Sequence, residues 1–123
     1  MMGSMSTFQD LVVWQRGIDL VESVYLASSR WPDSEMYGLV SQARRAAVSI
    51  PANIAEGHGR GSVKEFFRFL SIARGSLREL ETHLIIALRM HFLEQPDYDR
   101  TKSLSDEVGR LLQGLMRKLE SPN

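Results

Sequence analysis

Between Ser62 and Leu93 the chain reads SVKEFFRFLSIARGSLRELETHLIIALRMHFL. Phe66, Leu70, Ala73, Leu77, Leu80, Leu84 and Ala87 or Leu88 recur at steps of three and four, the spacing of one helical face. The run opens on Ser62-Val63-Lys64-Glu65, an S-x-x-E capping box that satisfies the free N–H groups of a helix start. One helix is predicted over 63–93, about thirty residues and ~45 Å long. Phe66, Phe67, Phe69, Leu70 and Ile72 surround almost its whole circumference, and Leu84, Ile85, Ile86 and Leu88 do so again. A helix apolar on more than one face is buried on more than one face. One small bundle does not easily cover that much, which predicts a self-association surface, a symmetric ring or dimer. The alternative is a wider intramolecular core around a long helix.

Working outward, Gly57–Ser62 links this helix to a second pattern over 36–56. Leu39, Ala43, Ala46, Ile50 and Asn53 share its face, and Asp33 or Ser34 is the expected cap. The small residues Ala43, Ala46 and Ala47 allow a close helix contact. A first helix is predicted over 8–31 from Leu11, Trp14, Ile18, Val21 and Tyr25, with Ser6 or Thr7 as cap and Pro32 as stop. Gly17 inside it costs roughly 1 kcal/mol against alanine unless a neighbouring helix comes close there. After the turn Glu94–Asp97, with Asp97 as cap, a fourth helix over 98–120 carries Leu104, Val108, Leu111, Leu115 and Leu119. No segment alternates with period two, and short linkers make sequential helices antiparallel. The predicted fold is all-α: an up-and-down antiparallel four-helix bundle over residues 7–120. Residues 1–6 read as a cloning remnant and disordered start, with Met5 the native initiator.

The chain has 123 residues, 43% hydrophobic and 24% charged, one domain's worth of an ordinary globular protein. Without cysteine it has no disulfide, thiolate metal site or cysteine nucleophile, which is compatible with a cytoplasmic location. No apolar run approaches the ~18 residues of a membrane span. Net charge is zero, yet Arg44–Arg78 holds seven basic and two acidic residues, or +5, leaving −5 for the remainder. The basic residues are Arg44, Arg45, Arg60, Lys64, Arg68, Arg74 and Arg78. Lys64 and Arg68, and Arg74 and Arg78, are one helical turn apart, a stripe that suits phosphates. A solvated charged helix face explains the same pattern without any partner.

The segment SIPANIAEGHGRGS (Ser49–Ser62) poses a separate question. Its glycines are spaced GxGxG after a helix, whereas a P-loop needs GxxxxGK[ST] after a strand, so a helix end and turn is the expectation. Gly57 is expected to end the second helix as its C′ residue. Pro51 removes the donor to the Ala47 carbonyl, and a kinked second helix is predicted there. Asn53 and Glu56 are the polar groups expected to repair that region.

Nothing supports catalysis or a cofactor. His58, His83 and His91 lack the Glu-x-x-His pairing of a di-iron bundle, and no HExxH is present. Glu79 and His83 lie one turn apart, which is more often a surface contact than a metal edge. No GxSxG elbow or SxxK pair appears. A base-reading motif is missing as well, so any nucleic-acid binding is expected to be backbone-dominated and salt-dependent.

The run SQARRAAVSIPANIAEGHGRGSVKEFFRFLSIARGSLRELETHL resembles the bacterial four-helix-bundle family encoded by intervening sequences in 23S rRNA genes. FQDLVVWQRGIDLVESVY, the YGL at Tyr37–Leu39 and EVGRLLQGLMRKLE match it too, so the resemblance covers nearly all the chain after residue 7. The block Arg44–Gly57 is its specific signature, and Arg44, Arg45, Pro51, Asn53, Glu56, Gly57 and Arg60 fall on signature positions. Many relatives read GYGR where this chain has Gly57-His58-Gly59-Arg60. The resemblance implies a left-handed up-and-down bundle, a homopentameric ring with a central channel, and association with ribosomal RNA or other nucleic acid. It implies no catalytic residues. A related, strongly basic branch looks like the accessory subunit of diversity-generating retroelements, which binds a reverse transcriptase and RNA. The neutral total here departs from that branch.

The functional expectation is a non-enzymatic, oligomeric bundle that binds RNA or an RNA-associated protein through its basic middle, with no metal, cofactor or membrane. The alternative is an oligomeric scaffold or protein-interaction module without a nucleic-acid partner.

Overall fold

Helix pairing in the chain follows its apolar faces. The computed structural model describes residues 7–120; the expected cloning remnant at 1–6 lies outside them. Four helices are formed: α1 (Val12–Ser28), α2 (Ser41–Gly59), α3 (Val63–Arg89) and α4 (Gln95–Glu120). Contacts run α1 to α2, α2 to α3, α3 to α4 and α4 back to α1, with α2 and α3 in the most extensive contact. Each pairing is antiparallel. Gly17 meets Pro51 while Ser28 meets Arg44, and Ser23 meets Thr101 while Arg16 meets Glu107. The result is the up-and-down four-helix bundle that the periodicity predicts, without strands among the described residues.

The core is built from Leu20, Val24, Ile50, Ile54, Leu70, Leu77, Leu80, Val108 and Leu112, all with no exposed surface. For α2 and α3 the buried faces are essentially the predicted ones. For α1 the face is displaced by one position: Val13, Gly17, Leu20, Val24 and Ala27 are inside, while Ile18 and Tyr25 are exposed. Both stripes have helical spacing, and the small residues Gly17 and Ala27 admit the neighbouring helices where larger side chains do not. On α4 the inner line is Thr101, Ser105, Val108, Leu112 and Met116, flanked by the predicted leucines. Two of those positions are polar and hydrogen-bonded across the bundle: Thr101 Oγ1 lies 2.7 Å from Ser23 Oγ, and Ser105 Oγ donates to Glu81 Oε2 at 3.0 Å. Their pairing is what permits their burial.

The kink expected near Pro51 is not borne out. Helix α2 runs unbroken from Ser41 to Gly59, with the proline ring buried. A Cβ on Gly17 would sit 3.5 Å from Pro51 Cβ, so α1 and α2 meet at this pair and packing offsets the lost hydrogen bond. The Asn53 amide donates to Ser49 O at 2.8 Å and to Ser49 Oγ at 2.9 Å, and Ser49 Oγ lies 2.8 Å from Ser76 Oγ of α3. The irregular backbone falls earlier instead. Within Met36–Val40 the chain kinks between two helical segments, with Gly38 in a non-helical conformation at φ −112° and ψ −109°. Glu35, rather than Asp33 or Ser34, accepts from the Leu39 N–H there, at 3.2 Å.

Gly57 does not end α2 as expected, because the helix continues to Gly59 and the turn is made at Gly61, whose φ is +82°. Helix α3 stops at Arg89, where His91 takes φ +64° and the Phe92 N–H donates to Ala87 O at 2.9 Å. Helix α4 starts at Gln95, which places Asp97 in its first turn rather than at its cap. There its carboxylate still favours the positive end of the helix dipole.

Candidate nucleic-acid interface

The seven basic residues of the middle segment all reach solvent, and the fold distributes them over three places. Arg44 and Arg45 lie on the N-terminal half of α2, beside α1. Arg60, Lys64 and Arg68 gather at the turn from α2 to α3. Arg74 and Arg78 continue along α3, where Arg78 lines a groove with Ser105, Asp106 and Arg110 of α4. At about 100° per residue, Arg74 is rotated by about 120° from Arg68. Lys64, Arg68, Arg74 and Arg78 therefore spread over an arc of about 120° on α3 rather than along one narrow stripe.

At the α2–α3 turn, Ser62 Oγ accepts from the Glu65 N–H at 3.1 Å, one half of the predicted capping box. The Glu65 carboxylate is taken by Arg68, at 3.1 and 3.3 Å, rather than turned back to the cap. That hydrogen bond draws the Glu65 carboxyl below its ordinary range and raises Arg68. Glu56 pairs with Arg60 at 2.8 Å. The guanidiniums of Arg60 and Arg68 lie 5.0 and 4.6 Å from the Phe69 ring, cation–π contacts that cover an otherwise buried phenyl group. Beneath it, Gly57 is so close to α3 that a Cβ would come 2.5 Å from Phe69 Cβ. His58 meets the Phe66 ring edge-on at 5.7 Å. The signature residues thus have packing roles: Pro51 against Gly17, Asn53 on Ser49, Glu56 on Arg60, Gly57 under Phe69.

Glu56, Glu65 and Glu81 partly neutralise Arg60, Arg68 and Arg78. Arg44, Arg45, Lys64 and Arg74 have no carboxylate at ion-pair distance among the described residues. Arg44 is nonetheless held in place. Its Nε donates to Ser28 Oγ at 2.9 Å, and its guanidinium lies 4.5 Å from the Tyr25 ring centre. It lines, with Arg45, Tyr25 and Tyr37, an open groove of about 600 Å³ between α1 and α2. Charge alone did not reveal these two tyrosines. The available signal was Tyr37-Gly38, an aromatic residue placed immediately before a backbone irregularity.

Elsewhere, Glu79 Oε2 is 3.7 Å from His83 Nε2, and His83 is buried with both ring nitrogens unpaired. No group of three or more His, Cys, Asp or Glu side chains suited to a metal ion occurs among the described residues. No helix among them is long and apolar enough to cross a membrane.

Fold and surface together define a small up-and-down helical-bundle protein that presents separated basic patches. The chain belongs to the 23S rRNA-intervening sequence protein family, whose sequence model matches residues 9–114. A crystal structure at 1.70 Å of a protein of unknown function from the S23 ribosomal protein family of Bacteroides thetaiotaomicron is similar in fold. Its TM-score is 0.80 at 22% identity, over 86% of this chain and 96% of that one. No curated protein matches the chain.

Proposed function

We propose that this protein is a non-enzymatic, self-associating helical bundle that binds RNA in the cytoplasm through its basic middle segment. The observation that carries the reading is the segregation of charge: Arg44–Arg78 holds seven basic and two acidic residues in a chain of zero net charge. All seven basic side chains reach solvent. The family's name ties its members to 23S rRNA genes, which favours RNA as the partner. Binding of this kind is dominated by phosphates, so affinity falls steeply with salt. The test is RNA affinity measured across a salt series for the wild-type chain and for Lys64→Glu/Arg68→Glu. A steep slope that the double variant flattens supports the reading, and an absence of binding at low salt overturns it.

Self-association is supported by Ile72 and Ile86 of α3 and by Met90 just beyond its end, large apolar side chains that the bundle leaves exposed. Ile72 and Ile86 are fourteen residues apart and so share a helix face. A ring of five copies, as the family resemblance implies, would bring several basic segments together. Solution mass tests it, a monomer at micromolar concentration being the contrary result. The same exposed side chains favour a second reading, an oligomeric scaffold or protein-interaction module with no nucleic-acid partner. That reading gains if the chain is oligomeric yet binds no RNA.

A further inference from the structure

The groove between α1 and the start of α2 combines features that neither packing nor surface solvation accounts for. Its walls include Tyr25, Met36, Tyr37, Arg44, Arg45 and Val48, and no carboxylate lines it. Tyr37 is 97% exposed and immediately precedes the kink at Gly38, whose backbone angles are not helical. That kink is braced by Glu35, whose Oε1 accepts from the Leu39 N–H at 3.2 Å and would lie 3.0 Å from a Cβ on Gly38. An aromatic ring held out in this way contributes almost nothing to the core. Opposite it, Arg44 is fixed by Ser28 and by the Tyr25 ring, with part of its five-donor fork uncommitted.

We infer that this groove binds one nucleotide unit of an unpaired RNA strand, its base against Tyr37 and the apolar wall and its phosphate on Arg44 and Arg45. The inference rests on the RNA-binding reading above and gives it a location and a strand preference. Aromatic rings with neighbouring guanidiniums are how proteins hold single-stranded bases and their phosphates. A duplex offers phosphates to the outside but keeps its base faces stacked, leaving Met36, Val48 and Tyr37 without an occupant. The volume of about 600 Å³ lies in the range of pockets for small ligands. A docked amphipathic helix would instead need a groove spaced for anchors over two turns or more.

The test uses the full chain and two probes, AMP and a ten-nucleotide single-stranded oligoadenylate, with amide chemical-shift mapping and fluorescence anisotropy. Tyr37 and Arg45 are exposed, so Tyr37→Ala and Arg45→Ala retain the fold, which circular dichroism checks. Each variant is expected to weaken oligoadenylate binding about tenfold. AMP should shift amides around residues 36–48 of the wild type, and a duplex of equal length should bind more weakly than the single strand. Oligoadenylate binding unchanged in both variants but lost in Lys64→Glu/Arg68→Glu overturns the groove and leaves the RNA reading intact. AMP shifts at 36–48 with no oligoadenylate binding overturn both the RNA reading and the inference, leaving a mononucleotide site. A groove that takes a glutamate-rich peptide, but neither AMP nor oligoadenylate, is a protein-docking site and overturns the inference.

Discussion

Gly57 of α2 and Phe69 of α3 are packed so closely that a methyl group on Gly57 would stand 2.5 Å from Phe69 Cβ. Neither can withdraw alone, because Arg60 and Arg68 stack on the Phe69 ring and Gly57 is buried. Gly57→Ala is therefore expected to destabilise the fold by about 1–3 kcal/mol, the usual cost of overpacking. Urea denaturation measures it. Gly59, whose added Cβ would meet nothing within 4 Å, is the control and should tolerate alanine.

Asp97, only 8% exposed, receives Arg30 Nη1 at 2.7 Å and Arg100 Nη1 at 2.9 Å, tying the turn after α1 to the start of α4. Asp97→Ala is expected to cost about 2 kcal/mol, since it removes two charge-assisted hydrogen bonds together with a carboxylate in the first turn of α4. Arg30→Ala should cost well under 1 kcal/mol, because that side chain is itself largely exposed. The two variants compared by thermal or urea unfolding check the asymmetry.

His83 is 8% exposed and neither ring nitrogen has a hydrogen-bond partner among the described residues. Replacing such a group by an apolar one removes a desolvation penalty of about 1–3 kcal/mol. His83→Leu is expected to be neutral or to raise Tm. A clear fall in Tm would show that the imidazole has a partner in the working protein.

Glu65 titrates below the ordinary carboxylate range because Arg68 donates hydrogen bonds to it, with the charges of Arg68, Arg60 and Lys64 adding to the effect. A depressed folded-state value means that the ionised carboxylate stabilises the fold at neutral pH. That contribution is present above the unfolded carboxylate's pKa and is lost as pH falls through the lower folded value. Arg68→Ala should move Glu65 back toward the ordinary range in a carbonyl NMR titration, with Arg60 and Lys64 still lowering it. The stability gap between wild type and variant should close as the solution is made acidic.

Helical spacing at Leu70, Leu77, Leu80 and Leu84 located the buried face of α3, because a long apolar stripe has only one way to leave water. On α1 two stripes of equal spacing compete, and periodicity does not say that Leu20 and Val24 go inside while Ile18 and Tyr25 stay out. Thr101 and Ser105 escaped notice for a related reason: a polar residue reads as exposed until its partner, Ser23 or Glu81, is known. The candidate site was half legible. Arg44 and Arg45 were visible as charge, whereas Tyr25 and Tyr37 join them only through the packing of α1 on α2 and the kink at Gly38.

The sequence by itself determined four helices, their antiparallel order, the family signature and a basic middle segment, since each depends on neighbours within a few turns. Tertiary structure decided that Pro51 is absorbed without a break, that Gly57 serves close packing rather than a turn, and that Arg44 is held beside Tyr25. Each of those depends on an atom supplied by another helix: the open face of Gly17, the Phe69 side chain, or the Tyr25 ring. Local spacing carries no record of such contacts, because two helices set their mutual rotation only when they pack.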